Sequence, residues 1–214
     1  MTSKCYNKFA EKLSKGEDLT EKELQNAIEN DGFDVNEKDE DGHTLCMRAA
    51  WKGKTDTVKV LKKQGADVNA KDKNDWTACM WAAAYGKTET LKVLKELGAN
   101  IDAQDDFGYT ACMWAARNGK TETLLELVRL GADISIENDA RKTLFDYIDD
   151  KTKEEVIRLR REYEAAHPDK PKMADDLAKK YLPNVAVKPV FRGPHTAQTE
   201  GAKKTANNQG RRMV

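Results

Sequence analysis

The sequence predicts an all-α solenoid of stacked helix–turn–helix units with connecting hairpin loops, followed by a largely irregular C-terminal tail. The phrase TACMWAA occupies residues 77–83 and again residues 110–116, and a related phrase, TLCMRAA, occupies residues 44–50. The interval is 33 residues each time. Self-similarity at a period of roughly 20 to 50 residues is typical of stacked repeats, each packing mainly against its neighbours. The same period separates four threonines and four glycines, namely Thr44, Thr77, Thr110 and Thr143, and Gly32, Gly65, Gly98 and Gly131.

The second unit shows how one repeat is built. The Ala-rich segment Thr77–Tyr85 favours a short helix whose small side chains let another helix approach closely, and Gly86 ends it. Leucines spaced three apart then predict a second, amphipathic helix, with the Thr88 hydroxyl as its cap. Gly98 ends that helix, and the Asp- and Asn-rich residues that follow predict a hairpin turn.

The order of motifs within each unit resembles the ankyrin repeat. The units read DxxGxT, with aspartate in place of the glycine in the second, then a short Ala-rich helix, a GK-T segment and a hairpin such as GADVNA at Gly65–Ala70. Three such units fill residues 39–137, as Asp39–Lys71, Asp72–Gln104 and Asp105–Glu137. The resemblance implies a non-catalytic protein–protein interaction module. It also implies that partners contact the hairpin tips and the exposed side of each first helix, which together line a concave face.

The units depart from the family pattern at two places. The usual Thr-Pro-Leu-His reads TLCM, TACM and TACM, so methionine replaces the histidine that normally ties down neighbouring backbone. We expect these repeats to lose that polar brace and to substitute apolar packing. Asp75 and Arg141 stand where a turn glycine is expected, and arginine tolerates the left-handed backbone conformation poorly.

Both ends of the array are expected to be degenerate capping repeats, because each end repeat has one face in water. Residues 1–38 form the N-terminal one, where Thr20–Glu23 reads as a capping box that opens a helix. Residues 138–167 form the C-terminal one. In it Thr143–Ile148 stands for the first helix, and Thr152–Glu155 reads as a second capping box.

Residues 168–214 form a basic tail that contains all five prolines of the chain and ten Lys or Arg against four Asp or Glu. Apolar residues four apart predict a short helix over residues 172–182, and alternating apolar residues follow it. We expect the apolar side chains to dock on a partner. The alternative is a plain disordered terminus. The predicted docking residues are Met173, Leu177, Tyr181, Val187, Val190 and Phe191.

Aromatic residues concentrate at the positions where the resemblance places partner contacts. An aromatic strip flanked by arginines is typical of an interface hot spot. The alternative is that the tryptophans only pack between repeats. The predicted partner-binding residues are Arg48, Trp51, Trp76, Trp81, Tyr85, Phe107, Tyr109, Trp114 and Arg117.

Cys46, Cys79 and Cys112 recur once per repeat, which raises the question of a metal site or a redox switch. Stacked helices lie roughly 8–10 Å apart, whereas a disulfide needs Cα atoms within about 7 Å. We therefore expect these cysteines to fill the core, and we expect no metal site. The three histidines are far apart and no phosphate-binding or metalloprotease motif occurs, so we predict neither an enzyme nor a cofactor.

The predicted function is binding of one or more partner proteins through the concave face, with the tail as a second attachment. The alternative is a stoichiometric structural subunit of a large assembly held by its tail. Nucleic-acid binding by the basic tail is a third and weaker hypothesis, because the tail lacks interleaved aromatic and basic residues.

Lysines on the second helices are interspersed with glutamates, which indicates a solvated face. The N-terminus has no apolar signal region and no long apolar run occurs, so we expect a cytoplasmic protein without membrane insertion. A cytoskeletal or nuclear location is the alternative.

Overall fold

The structure, a computed structural model, describes residues 2–183 of the chain, and this part is all helical, as predicted. Its helices are α1 (Lys4–Ser14), α2 (Glu21–Asp31), α3 (Leu45–Lys52), α4 (Thr55–Lys63), α5 (Ala78–Ala84), α6 (Thr88–Glu96), α7 (Ala111–Arg117), α8 (Thr121–Arg129), α9 (Asp150–Ala166) and α10 (Ala174–Tyr181). A 3-10 helix, η1 (Leu144–Tyr147), lies between α8 and α9.

The helices form two rows. The first row runs α1, α3, α5, α7 and η1, and the second runs α2, α4, α6, α8 and α9, with each helix packed on the next in its row. Alanines make the close spacing of the first row possible, since Ala49, Ala82 and Ala115 are completely buried between neighbouring helices. A larger side chain at these positions would push the repeats apart.

The cysteine column is part of this core, as predicted. Cys46, Cys79 and Cys112 are buried free thiols. Burial raises the pKa of the Cys46 and Cys79 thiols to about 12, and it raises the pKa of Cys112 further. The side chains are therefore uncharged packing groups, and the remaining cysteine, Cys5, is only partly buried.

The predicted cap at Thr88 is wrong. The side chains of Thr44, Thr77 and Thr110 do cap the first helices, but the second helices begin after a lysine that provides no side-chain cap. Thr88 instead hydrogen bonds to Thr123 of the next repeat at 2.7 Å between hydroxyl oxygens, and Thr55 bonds to Thr90 in the same way at 2.8 Å. These hydrogen bonds between hydroxyl groups connect adjacent repeats.

A second set of hydrogen bonds between repeats joins successive hairpins. The Asn36 side chain accepts the backbone N–H of Asp67 and donates to the carbonyl of Gly65, one repeat further on. Asn69 repeats both bonds, to Asn100 and Gly98. At the third position the residue is Asp102, which accepts the N–H of Asp133 at 2.8 Å but has no amide to donate.

Both residues that replace the turn glycine adopt the left-handed conformation. Asp75 and Arg141 each have a φ of 60°, in the region that favours glycine. At Gly42 and Gly108, the glycines that occupy the corresponding turns, an added Cβ would lie within 2.9 Å of the backbone of the next hairpin.

The capping repeats follow the prediction at the N-terminus and differ from it at the C-terminus. Thr20 and Glu23 form the expected capping box of α2. The predicted box at Thr152 is wrong: Asp149 caps α9 by accepting the N–H of Thr152, so the helix begins earlier and Thr152 lies in its first turn. The segment that stands for the first helix is reduced to the single turn of η1.

The predicted tail helix is present as α10 and packs against α9. The Glu164 carboxylate accepts the N–H groups of Met173 and Ala174 at the start of α10 and pairs with Arg160 at 3.0 Å. Arg160 also donates to the Ala132 carbonyl of the last full hairpin. The expected boundary between cap and tail at residues 167 and 168 thus falls inside a continuously packed region. Residues 184–214, with the predicted docking residues Val187, Val190 and Phe191, lie outside the described part of the chain.

Candidate functional site

A nearly continuous row of aromatic rings runs across the hairpin tips and first helices of the repeats. We call it the aromatic face, defined by Trp51, Trp76, Trp81, Tyr85, Tyr109 and Trp114. The Trp51 ring lies 5.9 Å from Trp81 and 5.5 Å from Tyr85, measured between centroids. Trp76 lies 4.7 Å from Trp81 and 4.3 Å from Trp114, so it joins one repeat to the next.

The row ends at the C-terminal cap. The Tyr109 ring lies 5.1 Å from Trp114 and 5.9 Å from Tyr147 of η1. The hydroxyl of Tyr147 donates to that of Tyr109 at 3.1 Å. The predicted aromatic residues of neighbouring repeats are thereby brought together, with the exception of Phe107, which stands on its hairpin tip.

A buried carboxylate fixes the tryptophans of α5 and α7. Trp81 donates its indole N–H to Oδ2 of Asp72 at 3.1 Å, and Oδ1 of Asp72 accepts the backbone N–H groups of Asn74 and Trp76. One repeat later, Trp114 donates to Asp105 at 2.9 Å, and Asp105 holds its own hairpin in the same way. The same carboxylate therefore shapes the hairpin and orients the ring.

The methionines that replace the family's histidine, Met47, Met80 and Met113, are buried in the core, so the expected apolar packing is confirmed. A different polar contact joins each hairpin to its helix. In the first repeat Arg48 pairs with Asp39, and in the cap Asn138 donates to the hydroxyl of Tyr147. In every repeat the acceptor or donor at the hairpin lies nine residues before its partner on the helix. This spacing was the signal that would have identified Asp72, Asp105 and Tyr147, which the sequence reasoning missed.

The tryptophans both pack between repeats and leave part of their surface open. Trp76, Trp81 and Trp114 are partly buried against the core, and Trp51 is also partly buried. Tyr85 and Phe107 are 46% and 66% exposed, the two large apolar side chains that are most open in residues 2–183. The two interpretations of the tryptophans are thus compatible with each other.

Cations lie on the aromatic face as the sequence predicts them to. The Arg117 guanidinium lies 5.5 Å from the ring centroids of both Tyr109 and Trp114. Arg48 donates to the hydroxyl of Tyr6 at 3.0 Å, and burial raises the pKa of Tyr6 to about 12. The Arg48 guanidinium beside Asp39 contributes to a pKa of that carboxyl below its usual value, against the opposing effect of desolvation.

Three neighbouring cavities follow the aromatic face. A cavity of about 180 Å³ lies between α1 and α3, and it is bounded by Leu13 and Trp51. A second, of about 270 Å³, lies between the first two repeats, and a third, of about 410 Å³, lies between the next two. The second is lined by Asp41, His43, Met47, Arg48, Trp51, Trp81 and Tyr85, and the third by Trp76, Trp81, Ala84, Tyr85, Trp114, Asn118 and Lys120.

Asp39, Asp41 and His43 bring one potential metal-ligating atom each to within 4.8 Å of one another. The Asp39 carboxylate is already paired with Arg48, and its other oxygen accepts the N–H groups of Asp41 and His43. The cluster is accounted for as the turn of the first hairpin, because a metal ion would have to compete with the Arg48 guanidinium for Asp39.

The predicted docking residues of the tail helix lie at the C-terminal cap. Leu177 is buried there, and the Tyr181 ring stacks on Phe145 at 4.4 Å between centroids. The Tyr181 and Thr143 hydroxyls lie 3.1 Å apart. These side chains, with the partly buried Met173, contact this chain's own cap rather than presenting an open surface.

Comparison with known proteins agrees with this architecture. A family model described as ankyrin repeats, in three copies, matches residues 46–138. These residues therefore match three ankyrin repeats, which are generally protein–protein interaction modules and are typically non-catalytic. A search of curated proteins gives no match. No helix in residues 2–183 combines the length and apolar character needed to cross a membrane.

Proposed function

We propose that this protein binds a partner protein along the aromatic face, without catalysing a reaction. The observation that carries the proposal is the row of rings itself, which remains partly open across three consecutive repeats. Aromatic and arginine side chains contribute most to binding at interfaces, and they do so where neighbouring contacts exclude water.

The stability of the face supports this role. Trp81 and Trp114 are fixed by Asp72 and Asp105, so their rings are held in one orientation before a partner arrives. A preorganised surface loses less conformational entropy on binding than a mobile one. The three cavities beside the rings offer depressions into which a partner's side chains could fit.

The alternative, a structural subunit of a large assembly held by its tail, has less support. Three of the six apolar tail residues that suggested it, Met173, Leu177 and Tyr181, contact the chain's own cap. Within residues 2–183, no residue of α10 lines the second or third cavity of the aromatic face. Binding through this face therefore remains the function that the geometry supports best.

The test replaces the two most exposed aromatic residues together. Tyr85→Ser with Phe107→Ser should reduce capture of partner proteins from extracts of the native cells by at least about tenfold, since the loss of one hot-spot residue costs about 2 kcal/mol. Because both side chains are exposed, the fold should be kept, which circular dichroism would check. The matched control, Lys95→Ala with Glu96→Ala, changes two exposed residues on α6 and should leave capture unchanged. Equal capture by both variants would contradict the proposal.

A further inference from the structure

We infer that the cavity between the first and second repeats receives a cationic side chain of the partner, an ammonium or a guanidinium group. This inference rests on the proposed function, because it assigns the chemistry of one part of the aromatic face. Three features carry it: the rings that line the cavity, the carboxylates around it, and the contrast with the neighbouring cavity.

Three aromatic rings surround this cavity of about 270 Å³. Trp51 lies 5.5 Å from Tyr85, and the Trp81 and Tyr85 rings stack at 6.1 Å between centroids. A cation within about 6 Å of such ring faces is attracted by their negative potential. Trp51 already receives one cation of this chain, since the Lys52 ammonium lies 4.5 Å from its ring centroid.

The charges around the cavity favour a cation. Asp41 lines the cavity and is exposed to solvent. The only cation in the lining, Arg48, is paired with Asp39, so its charge is compensated within the first repeat. The buried carboxylate of Asp72 lies behind the cavity, 3.7 Å from Nε2 of His43. The carboxylates of Asp39, Asp41 and Asp72 outnumber the cations of Arg48 and of Lys52, which lies beside Trp51, by one negative charge.

The lining of the next cavity along the array differs in charge, although this cavity is built from the same elements. One period of 33 residues beyond Asp41 stands Asn74, beyond Trp51 stands Ala84, and beyond Tyr85 stands Asn118. This cavity also includes Lys120 in its lining. It still has four rings, Trp76, Trp81, Tyr85 and Trp114, but no carboxylate of residues 2–183 lines it. Of these two cavities, only the one between the first and second repeats is therefore suited to a positive side chain.

The experiment measures binding of small probes by the ¹⁵N-labelled full-length protein. The probes are n-butylammonium and n-butylguanidinium, which mimic the ends of Lys and Arg, and the comparison compounds are valeramide, which is neutral, and valerate, which is anionic. The readout is the indole N–H resonance of Trp51, assigned with Trp51→Phe, with that of Trp114 as an internal reference in the next cavity. A chelator in the buffer removes divalent cations from the comparison.

The two cations should shift the Trp51 resonance saturably and more strongly than valeramide or valerate, with little change at Trp114. Asp41→Asn introduces the residue that the next repeat has at the equivalent position, Asn74. It should weaken binding of both cations about two- to fivefold, the range expected for an exposed carboxylate. The matched control, Asp106→Asn, removes an exposed hairpin-tip carboxylate outside the cavity lining and should leave binding unchanged.

Equal shifts by valeramide and the cations, or unchanged cation binding by Asp41→Asn, would overturn the inference. Neither result would affect the proposed function, which is tested separately by the loss of capture with Tyr85→Ser and Phe107→Ser. Conversely, cation binding without any loss of capture would leave this cavity as a cation site and refute its role on a partner-binding face.

Discussion

Trp81 and Asp72 are joined by a hydrogen bond of 3.1 Å from the indole N–H to a carboxylate that is only 6% exposed. The same carboxylate accepts two backbone N–H groups of its own hairpin. The ring that forms the centre of the aromatic face is therefore also part of the fold. A substitution here changes stability as well as recognition, so the two effects must be measured separately.

Trp81→Phe should lower the free energy of unfolding by about 1.5 to 3 kcal/mol, the range for a hydrogen bond to a charged group. The phenyl ring keeps much of the packing but leaves Oδ2 of the buried Asp72 without the indole donor. Urea unfolding followed by far-ultraviolet circular dichroism measures the change. The control is Trp51→Phe, because Trp51 contributes ring contacts to Trp81 and Tyr85 and should lose clearly less stability.

Asp102→Asn should stabilise the protein by about 1 kcal/mol at neutral pH, the usual contribution of one hydrogen bond. The new amide can donate to the Gly131 carbonyl, as Asn69 donates to Gly98 one repeat earlier and Asn36 donates to Gly65 two repeats earlier. The thermal midpoint reports the gain. A variant less stable than the wild type would show that Asp102 makes an essential charged contact.

The gain at Asp102 should also depend on pH. Desolvation raises the pKa of the Asp102 carboxyl above its usual value. A raised pKa in the folded state means that the contribution of this residue to stability is fully present below the pKa of the unfolded chain and is lost as pH rises through the folded pKa. The advantage of Asp102→Asn should therefore be larger at pH 7 than at pH 3, and an advantage that grows toward low pH would contradict this account.

Gly131→Ala should destabilise the protein more than Gly98→Ala, although both glycines have nearly the same left-handed backbone, with φ of 86° and 88°. An added Cβ at Gly131 would come within 2.3 Å of the Tyr163 side chain, whereas at Gly98 it meets nothing within 4 Å. We expect a difference of about 1 to 3 kcal/mol from overpacking. Adding Tyr163→Ala to Gly131→Ala should remove that difference, and unfolding curves of the four proteins measure it.

Thiol reactivity should separate Cys5 from the three repeat cysteines. Reagents attack the thiolate, and burial raises the pKa of Cys46 and Cys79 to about 12, so at pH 8 only the partly exposed Cys5 should react in the native protein. All four should react in denaturant. Rapid labelling of more than one thiol in the native state, counted by mass spectrometry, would be inconsistent with the buried column.

The same thiols should make the protein less stable in alkali. A raised folded pKa means that their contribution is present below the unfolded pKa and is lost as pH rises, because the unfolded chain releases the protons first. Each buried thiol then lowers the free energy of unfolding by up to about 1.4 kcal/mol for every pH unit above the thiol pKa of the unfolded chain. Cys79→Ala should reduce this slope between pH 9 and 10, and an unchanged slope would contradict the assignment.

Most of the fold followed from the period of 33 residues, because one repeated unit fixes where helices and turns recur. The features that could not be predicted depend on contacts between repeats. Threonine is a common N-cap residue, but the Thr88 hydroxyl forms a hydrogen bond with Thr123 of the next repeat instead. Asp149 precedes Thr152 and takes over its capping position. Likewise, a helix as short as α10 is marginal on its own in water. It is held by Glu164 and Phe145, contacts that helical periodicity does not reveal.

The candidate site was predicted in composition but not in geometry. The sequence placed the aromatic residues on hairpin tips and first helices, since those positions recur in each unit. It did not show that Asp72 orients Trp81, although the nine-residue spacing recurs within each unit. Nor did it show that Asp41 closes a cavity with Trp51 and Tyr85, because Tyr85 belongs to the next unit. Pairing across repeats requires the stacking distance, which a single sequence does not contain.

Site-specific photo-crosslinking tests the central claim most directly. A photoreactive phenylalanine at Phe107, exposed on a hairpin tip, and another at Lys95, exposed on α6, sample the two sides of the array without disturbing buried contacts. In native cells or their extracts, the account predicts a discrete crosslinked protein from position 107 and little from position 95. Crosslinking from position 95 alone, with none from position 107, would contradict binding through the aromatic face.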